Sequence, residues 1–177
     1  MLVARKGLAA NKDYEQDLVF RMPTGKDGAD VWQLVKETGV LDLNSSYSYL
    51  MWSTFFDRTS VVVEMDEQIV GFISGFIQPN NPNTLFVWQV AVDASQRGKG
   101  LASSMLQTIL HRESCRNIRC LEATVSPSNK ASQALFQKLA RDLNTKCHIS
   151  EFFTKNQFPD KGHEKELLFN VGPFHEA

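Results

Sequence analysis

The sequence predicts an α+β fold, a mixed and mostly antiparallel central sheet flanked by helices. Three observations predict it. Residues 59–92 hold three β-rich runs, TSVVVEM, QIVGFISGFIQ and TLFVWQVAV, separated only by short polar connectors around DEQ and PNNPN, the pattern of an antiparallel meander. From residue 94 onward the periodicity alternates helix, strand, helix, strand, strand. The chain has 177 residues, 42% of them hydrophobic and 22% charged, which suits one packed domain.

The elements follow in order. Residues 1–16 are expected to form a flexible N-terminal tail and 17–177 a single domain. DLVFRMPT, Asp17 to Thr24, reads as a first strand. In DGADVWQLVKETG, Val31, Leu34 and Val35 share one helical face and Gly39 closes the helix. VLDLNSSYSYLMWSTFF begins as a polar turn and runs into an aromatic-rich helix. The three meander strands come next, then a helix from the segment ASQRGKGLASSML to about Arg112. IRCLEATV is a strand. SPSNKASQALFQKLARDL is a helix with Ala131, Ala134, Leu135 and Leu139 near helical spacing. KCHISEFF and KELLFNVG read as two last strands joined by the polar loop TKNQFPDKGHE. The predicted order is β-α-α-β-β-β-α-β-α-β-β.

Net charge is −1, so the chain carries no overall basic field for nucleic acid or an acidic membrane. No apolar run reaches the roughly 18 residues of a membrane span. Cys115, Cys120 and Cys147 form no CxxC pair, and their odd number without a signal peptide is expected for reduced thiols in the cytoplasm.

Ala94 to Leu106 carries the chemistry. A helix start presents unpaired N–H groups and the positive end of a dipole. Gly98 and Gly100 permit positive φ and close approach, and Arg97 and Lys99 add charge. An anion such as a phosphate or diphosphate fits. The Walker A spacing is missing. Gly98-Lys99-Gly100-Leu101-Ala102-Ser103 nearly meets the dinucleotide pattern GxGxxG, with Ser103 in place of the third glycine and Glu122 downstream. Against that pattern, the turn follows meander strands rather than a crossover, and the chain is short for two domains.

The pattern Q/R-x-x-G-x-G/A also fits, at Gln96 to Gly100 or Arg97 to Ala102. With VWQVAVDASQ before it and SPSNKASQALFQKLA after it, the chain resembles the GCN5-related N-acetyltransferase (GNAT) superfamily over nearly its whole length. The resemblance implies the acyl-CoA N-acyltransferase fold. It also implies acetyl-coenzyme A as cosubstrate, held by Val90, Ala91, Val92, Arg97, Gly98, Lys99, Gly100, Leu101, Ala102, Asn129 and Phe136. Many members place a tyrosine at the position of Phe136 to protonate the departing thiolate; here the general acid is left open between Tyr47, water and direct thiolate release.

LDLNSSYSYL, FVWQVAV, RGKGLA, LEATVSPSNKASQALFQKLA and HEKELLFNVGPF resemble, in order, the diaminobutyrate acetyltransferase family of ectoine biosynthesis. That resemblance implies acetylation of the 4-amino group of L-2,4-diaminobutyrate and a homodimer, with no metal. Acidic and aromatic groups suit any cationic amine, so composition leaves open other small-amine or lysine acetyltransferases and a non-catalytic CoA- or nucleotide-binding module.

The substrate-binding candidates are Asp42, Tyr47, Trp88, His163 and Glu166. Asp42 either contacts substrate or caps the aromatic helix. Tyr47 offers a hydroxyl or packs half-buried. Strand alternation puts Trp88, Val90 and Val92 on one side and Val87, Gln89 and Ala91 on the other, a register that a bulge would shift. Glu122 is a candidate base, or a structural carboxylate. His163-Glu164-Lys165-Glu166 is not HExxH, so no zinc site is expected.

Overall fold

The computed structural model describes residues 18–159 and 162–174; the expected tail, 1–16, lies outside them. The elements occur in the predicted order: β1 (Val19–Arg21), α1 (Gly28–Thr38), α2 (Ser46–Phe55), β2 (Val61–Met65), β3 (Gln68–Gln78), β4 (Asn81–Val92), α3 (Leu101–Leu110), β5 (Cys120–Val125), α4 (Lys130–Asp142), β6 (Cys147–Phe153) and β7 (Glu166–Val171). They build a seven-stranded sheet in the order β1-β2-β3-β4-β5-β7-β6.

The meander is antiparallel, as its short connectors require. Asp66 and Glu67, at φ 50° and 61°, form the two-residue turn between β2 and β3, the conformation that matches strand twist. β4 starts at Asn81, so part of the expected PNNPN loop is strand. β4 and β5 are the sheet's parallel pair, from Thr84↔Cys120 to Val87↔Ala123. β4 then runs on to Val92 without β5. Its backbone edge from 88 to 92 therefore faces a gap, and unpaired N–H and C=O groups there can accept an extended ligand.

Two apolar cores lie on opposite faces. α3 and α4 cover one, where Leu85, Val87, Met105, Leu106, Ile109, Leu121, Phe136, Leu139 and Phe169 meet. α1 and Tyr49 of α2 cover the other, over Val62, Phe72 and Ala91. Gly28 permits close packing of α1 on α2: a Cβ there would lie 2.6 Å from Leu50 Cδ2. The expected stripe of α1 is observed, with Val31, Leu34 and Val35 buried and Gly39 in the left-handed conformation as its C-cap.

The register of β4 departs from simple alternation. Ser74 pairs with Gln89 and Gly75 with Val87, so Trp88 is the extra residue of a bulge. Leu85 and Val87 face the α3–α4 core, and beyond the bulge Val90 and Val92 face it too. Trp88 instead joins the aromatic group under α2, its ring 5.1 Å from Trp52. The expected sharing of one face by Trp88, Val90 and Val92 is thus corrected.

Candidate active site

Two adjoining cavities open where β4 and β5 part. The larger, of about 750 Å³, is lined by Val90 and Val92 of β4, the turn residues Arg97, Gly98 and Gly100, the start of α3 (Leu101, Ala102, Ser103) and one flank of α4. The smaller, of about 460 Å³, is lined by Asp42, Asn44, Trp88, Gln89, Thr124, Phe153, Phe158, His163, Glu164 and Glu166, among others. Val40, Leu41, Ser126, Ser128 and Asn129 border both, which makes one continuous site.

The charges are segregated. The ionic groups lining the larger groove are Arg97, Lys130 and Lys138, with no carboxylate. The smaller pocket has Asp42, Glu164 and Glu166 with His163, and no lysine or arginine. One end of the site therefore suits an anion and the other a cation.

The groove is built as its sequence suggested. Gly98 and Gly100 have φ of +76° and +83°. The first helical bond of α3 runs from Ser104 N–H to Gly100 O, so the N–H groups ahead of it have no intrahelical partner. Arg97 Nε donates to Val92 O at 3.2 Å, fastening the turn to the end of β4. Asn129 caps α4, its Oδ1 accepting from Ser132 N–H at 3.0 Å.

Three expected groove residues lie elsewhere. Ala91 points into the opposite core beneath α1, because strand alternation separates it from Val90 and Val92. Lys99 Nζ turns back toward Gln96 Oε1 at 3.4 Å and does not line the groove. Phe136 is buried against Phe169, ring centroids 6.2 Å apart. On α4 the stripe Ala131, Ala134, Leu135, Lys138 meets the groove, and position 136 points to the sheet.

In the smaller pocket, the structure brings Asp42, Trp88, His163 and Glu166 together. Asp42 does not cap α2: Ser45 does, accepting from Ser48 N–H. The Asp42 side chain is thereby left open, at 92% exposure, with its Oδ2 3.7 Å from His163 Nε2. Gln89, displaced by the bulge, donates from Nε2 to Asp42 O at 2.8 Å and holds this turn. The His163 ring stacks on Phe158, and Nδ1 lies 2.6 Å from Glu164 O. The contact to that carbonyl, with Asp42 and Glu166 nearby, raises the imidazole pKa against the opposing effect of burial. Burial raises the Glu166 pKa; His163 opposes this, while Asp42 and Glu164 add to it.

Two candidates fall outside both cavities. Tyr47 is 67% exposed on the outer face of α2. Tyr49, two residues on, is buried, and its hydroxyl accepts from Asn44 N–H at 3.3 Å, so it is the tyrosine that supports the Asp42 turn. Glu122 is held in place by Gln78 Nε2 and Asn170 Nδ2, each donating to one carboxylate oxygen at 2.6 Å. Its neighbour on the same strand face, Thr124, lines the pocket instead. Sequence reasoning missed Asn44, Gln89, Thr124, Phe158 and Glu164. A lone glutamine within the apolar run of β4 was the available signal for Gln89.

The profile of the Acetyltransferase (GNAT) family matches residues 29–140. The chain belongs to this family. Among the described residues, the seven-stranded sheet and four α-helices form the acyl-CoA N-acyltransferase fold. The L-2,4-diaminobutyric acid acetyltransferase of Sporosarcina pasteurii is 56% identical over 99% of this acetyltransferase and 98% of its own length. That of Virgibacillus pantothenticus is 54% identical over 88% and 98%. The diaminobutyrate acetyltransferase of Paenibacillus lautus, solved with L-2,4-diaminobutyric acid and coenzyme A, superposes with a TM-score of 0.88. It is 43% identical, with 92% of this chain and 98% of that chain covered. Among the described residues, no group of three His, Cys, Asp or Glu side chains is set to hold a metal ion, and no helix is long and apolar enough to cross a membrane.

Proposed function

We propose that the chain transfers acetyl from acetyl-CoA to the 4-amino group of L-2,4-diaminobutyrate, giving N4-acetyl-L-2,4-diaminobutyrate. The charge segregation of the site carries this reading. The polyanionic donor fits the groove with three cations and no carboxylate, and the diammonium acceptor fits the pocket with three carboxylates. Relatives bearing this activity in their names align over nearly the whole chain.

In this reading the diphosphate rests on the N–H groups at the start of α3, and the pantetheine arm pairs with the open edge of β4. That edge leads past Val90 to Trp88, so the thioester arrives between the two cavities. Asp42, Glu166 and the Trp88 face hold the ammonium groups. An amine must lose a proton before it attacks. Glu166 is the better base than Glu122, because it lines the pocket and burial raises its pKa. Attack on the thioester carbonyl forms the C–N bond; collapse of the adduct releases the thiolate, which takes a proton from water. No cysteine lines either cavity, and burial raises all three thiol pKa values, so transfer is direct.

The reading extends to a cytoplasmic location and to a homodimer, the latter supported by Ile149, Phe152 and Phe153, which stand 46%, 47% and 40% exposed on the edge strand β6. Ile149→Glu, followed by sedimentation, tests that surface. The activity is tested by acetyl-CoA turnover with L- and D-2,4-diaminobutyrate, ornithine, lysine, spermidine and a histone peptide, NMR locating the acetyl group. Preference for the L-form with acetyl on N4 is expected. Turnover of another amine moves the substrate, and CoA binding without turnover makes the chain a binding module.

A further inference from the structure

We propose that Thr59 is a positioning residue for the reaction: with Ser60 it clamps Gly75 of β3, and the clamp fixes the bulge that turns Trp88 into the acceptor pocket. The inference rests on the acceptor reading above and adds to it what holds the Trp88 ring in place.

Thr59 and Ser60 immediately precede β2, whose ladder with β3 ends at Val61↔Ile73. Gly75, two residues farther along β3, has no β2 residue opposite it. Side chains take over there. Thr59 Oγ1 donates to Gly75 O at 2.6 Å, and Gly75 N–H donates to Ser60 Oγ at 3.4 Å. The Thr59 hydroxyl has one proton to give, and its other carbonyl contact, Phe56 O, is longer at 3.2 Å. Thr59 and Ser60 are both buried, which shields the two bonds from solvent. Neither residue lines a cavity of the site, so any effect on the reaction passes through Gly75.

Gly75 is the β3 residue opposite the bulge. It pairs with Val87 while Ser74 pairs with Gln89, and Trp88 is left over. A Cβ on Gly75 would lie 2.9 Å from Phe86 O and 3.1 Å from Thr59 O, so glycine is what lets the three chain segments close on one another. The clamp is itself anchored. Arg112, just past α3, places Nη1 at 3.2, 3.1 and 2.5 Å from the carbonyl oxygens of Asp57, Arg58 and Ser60. On the far side of the bulge, the pairs Ser74↔Gln89, Ile73↔Val90, Phe72↔Ala91 and Gly71↔Val92 hold β4 independently. Freeing Gly75 therefore falls on Trp88, not on Val90 and Val92, which line the donor groove. Loss of the Thr59 hydroxyl leaves a buried carbonyl unpaired, and movement of the bulge along β4 relieves it.

The test measures KM for each substrate and the indole N–H NMR signals of the three tryptophans, that of Trp88 identified by its loss in Trp88→Phe. Thr59→Val keeps the shape and removes the hydroxyl. It should raise KM for diaminobutyrate about threefold to tenfold, leave KM for acetyl-CoA within about twofold, and shift the Trp88 signal while the Trp32 signal stays. Thr59→Ser should restore all three readings. Ser60→Ala, which removes the longer bond, should act in the same direction more weakly, and Gly75→Ala should reproduce Thr59→Val by pushing the segments apart. Thr145→Val removes a hydroxyl-to-carbonyl bond remote from β4, to Pro173 O, and should change neither KM nor the Trp88 signal. Equal rises in both KM values overturn the proposal, as do an unmoved Trp88 signal in Thr59→Val or a Thr59→Ser variant as impaired as Thr59→Val. If Thr59→Val does not fold, Ser60→Ala and Gly75→Ala carry the same comparison. Absence of diaminobutyrate turnover would refute the activity, while the Trp88 signal would still decide whether Thr59 places the ring.

Discussion

The imidazole of His163 lies flat on the ring of Phe158, centroids 3.7 Å apart and planes 9° from parallel. The stack fixes the ring whose Nε2 faces Asp42, so a residue of the β6–β7 loop sets the geometry of the acceptor pocket. Stacked aromatic contacts contribute about 0.5–1.5 kcal/mol. Phe158→Ala is therefore expected to raise KM for diaminobutyrate roughly threefold to tenfold, with KM for acetyl-CoA unchanged, since Phe158 does not line the donor groove. Steady-state kinetics with each substrate varied checks this; equal effects on both substrates would sink it.

The pH profile tests Glu166. With Glu166 as base, kcat/KM for the amine rises along a limb set by loss of its proton. Burial raises that pKa, so the limb should lie above the ordinary glutamate value of about 4.3. Asp42 raises it further and His163 lowers it. Asp42→Asn should shift the limb to lower pH and His163→Gln to higher pH, while Glu166→Gln abolishes the limb. A limb that neither neighbour moves, or one that vanishes in Glu122→Gln but not in Glu166→Gln, would return the base to Glu122.

Gly98 has φ +76° with nothing within 4 Å of a Cβ placed on it. A side chain there has space but a strained backbone. For a β-branched residue the left-handed region is a genuine outlier, whereas asparagine tolerates it. Gly98→Val should raise KM for acetyl-CoA roughly tenfold by distorting the turn, and Gly98→Asn should cost much less. KM for diaminobutyrate is expected to hold in both.

The order of elements was legible because the meander consists of β-rich apolar runs parted by short polar connectors, while α1 and α4 carry a period near 3.6. The anion turn was legible because glycines and cations stand at a helix start. The side of the sheet that Trp88 faces was not, because the bulge at Trp88 is set by pairing with β3 and leaves no local mark. Tyr47 and Tyr49 are two residues apart on α2, about 200° around the axis, so one is exposed and the other buried. The local sequence, aromatic on several sides of the helix, does not say which. Phe158 and Glu164 reach the pocket through a polar loop whose path no periodicity records.

The frame beneath the acceptor side depends on an ion pair outside the site. Arg21 of β1 grips Asp27 with two hydrogen bonds, Nη1 to Oδ2 at 2.9 Å and Nη2 to Oδ1 at 2.7 Å. Thr24 N–H also donates to Asp27 Oδ2, at 2.6 Å. Asp27 is 7% exposed and immediately precedes α1, the helix that packs on α2. Asp27→Asn leaves the guanidinium without its bidentate partner, and a loss of about 2–4 kcal/mol is expected. The hydrogen bond from Arg21 lowers the Asp27 pKa, outweighing burial. A depressed carboxylate stabilises the fold above its unfolded pKa, and that contribution is lost as pH falls through the folded value. The gap in urea midpoint between wild type and Asp27→Asn should therefore stay constant from pH 7 to about 5 and narrow only below about 3.9. A gap already closing at pH 6 would show that Asp27 is not held ionised by Arg21.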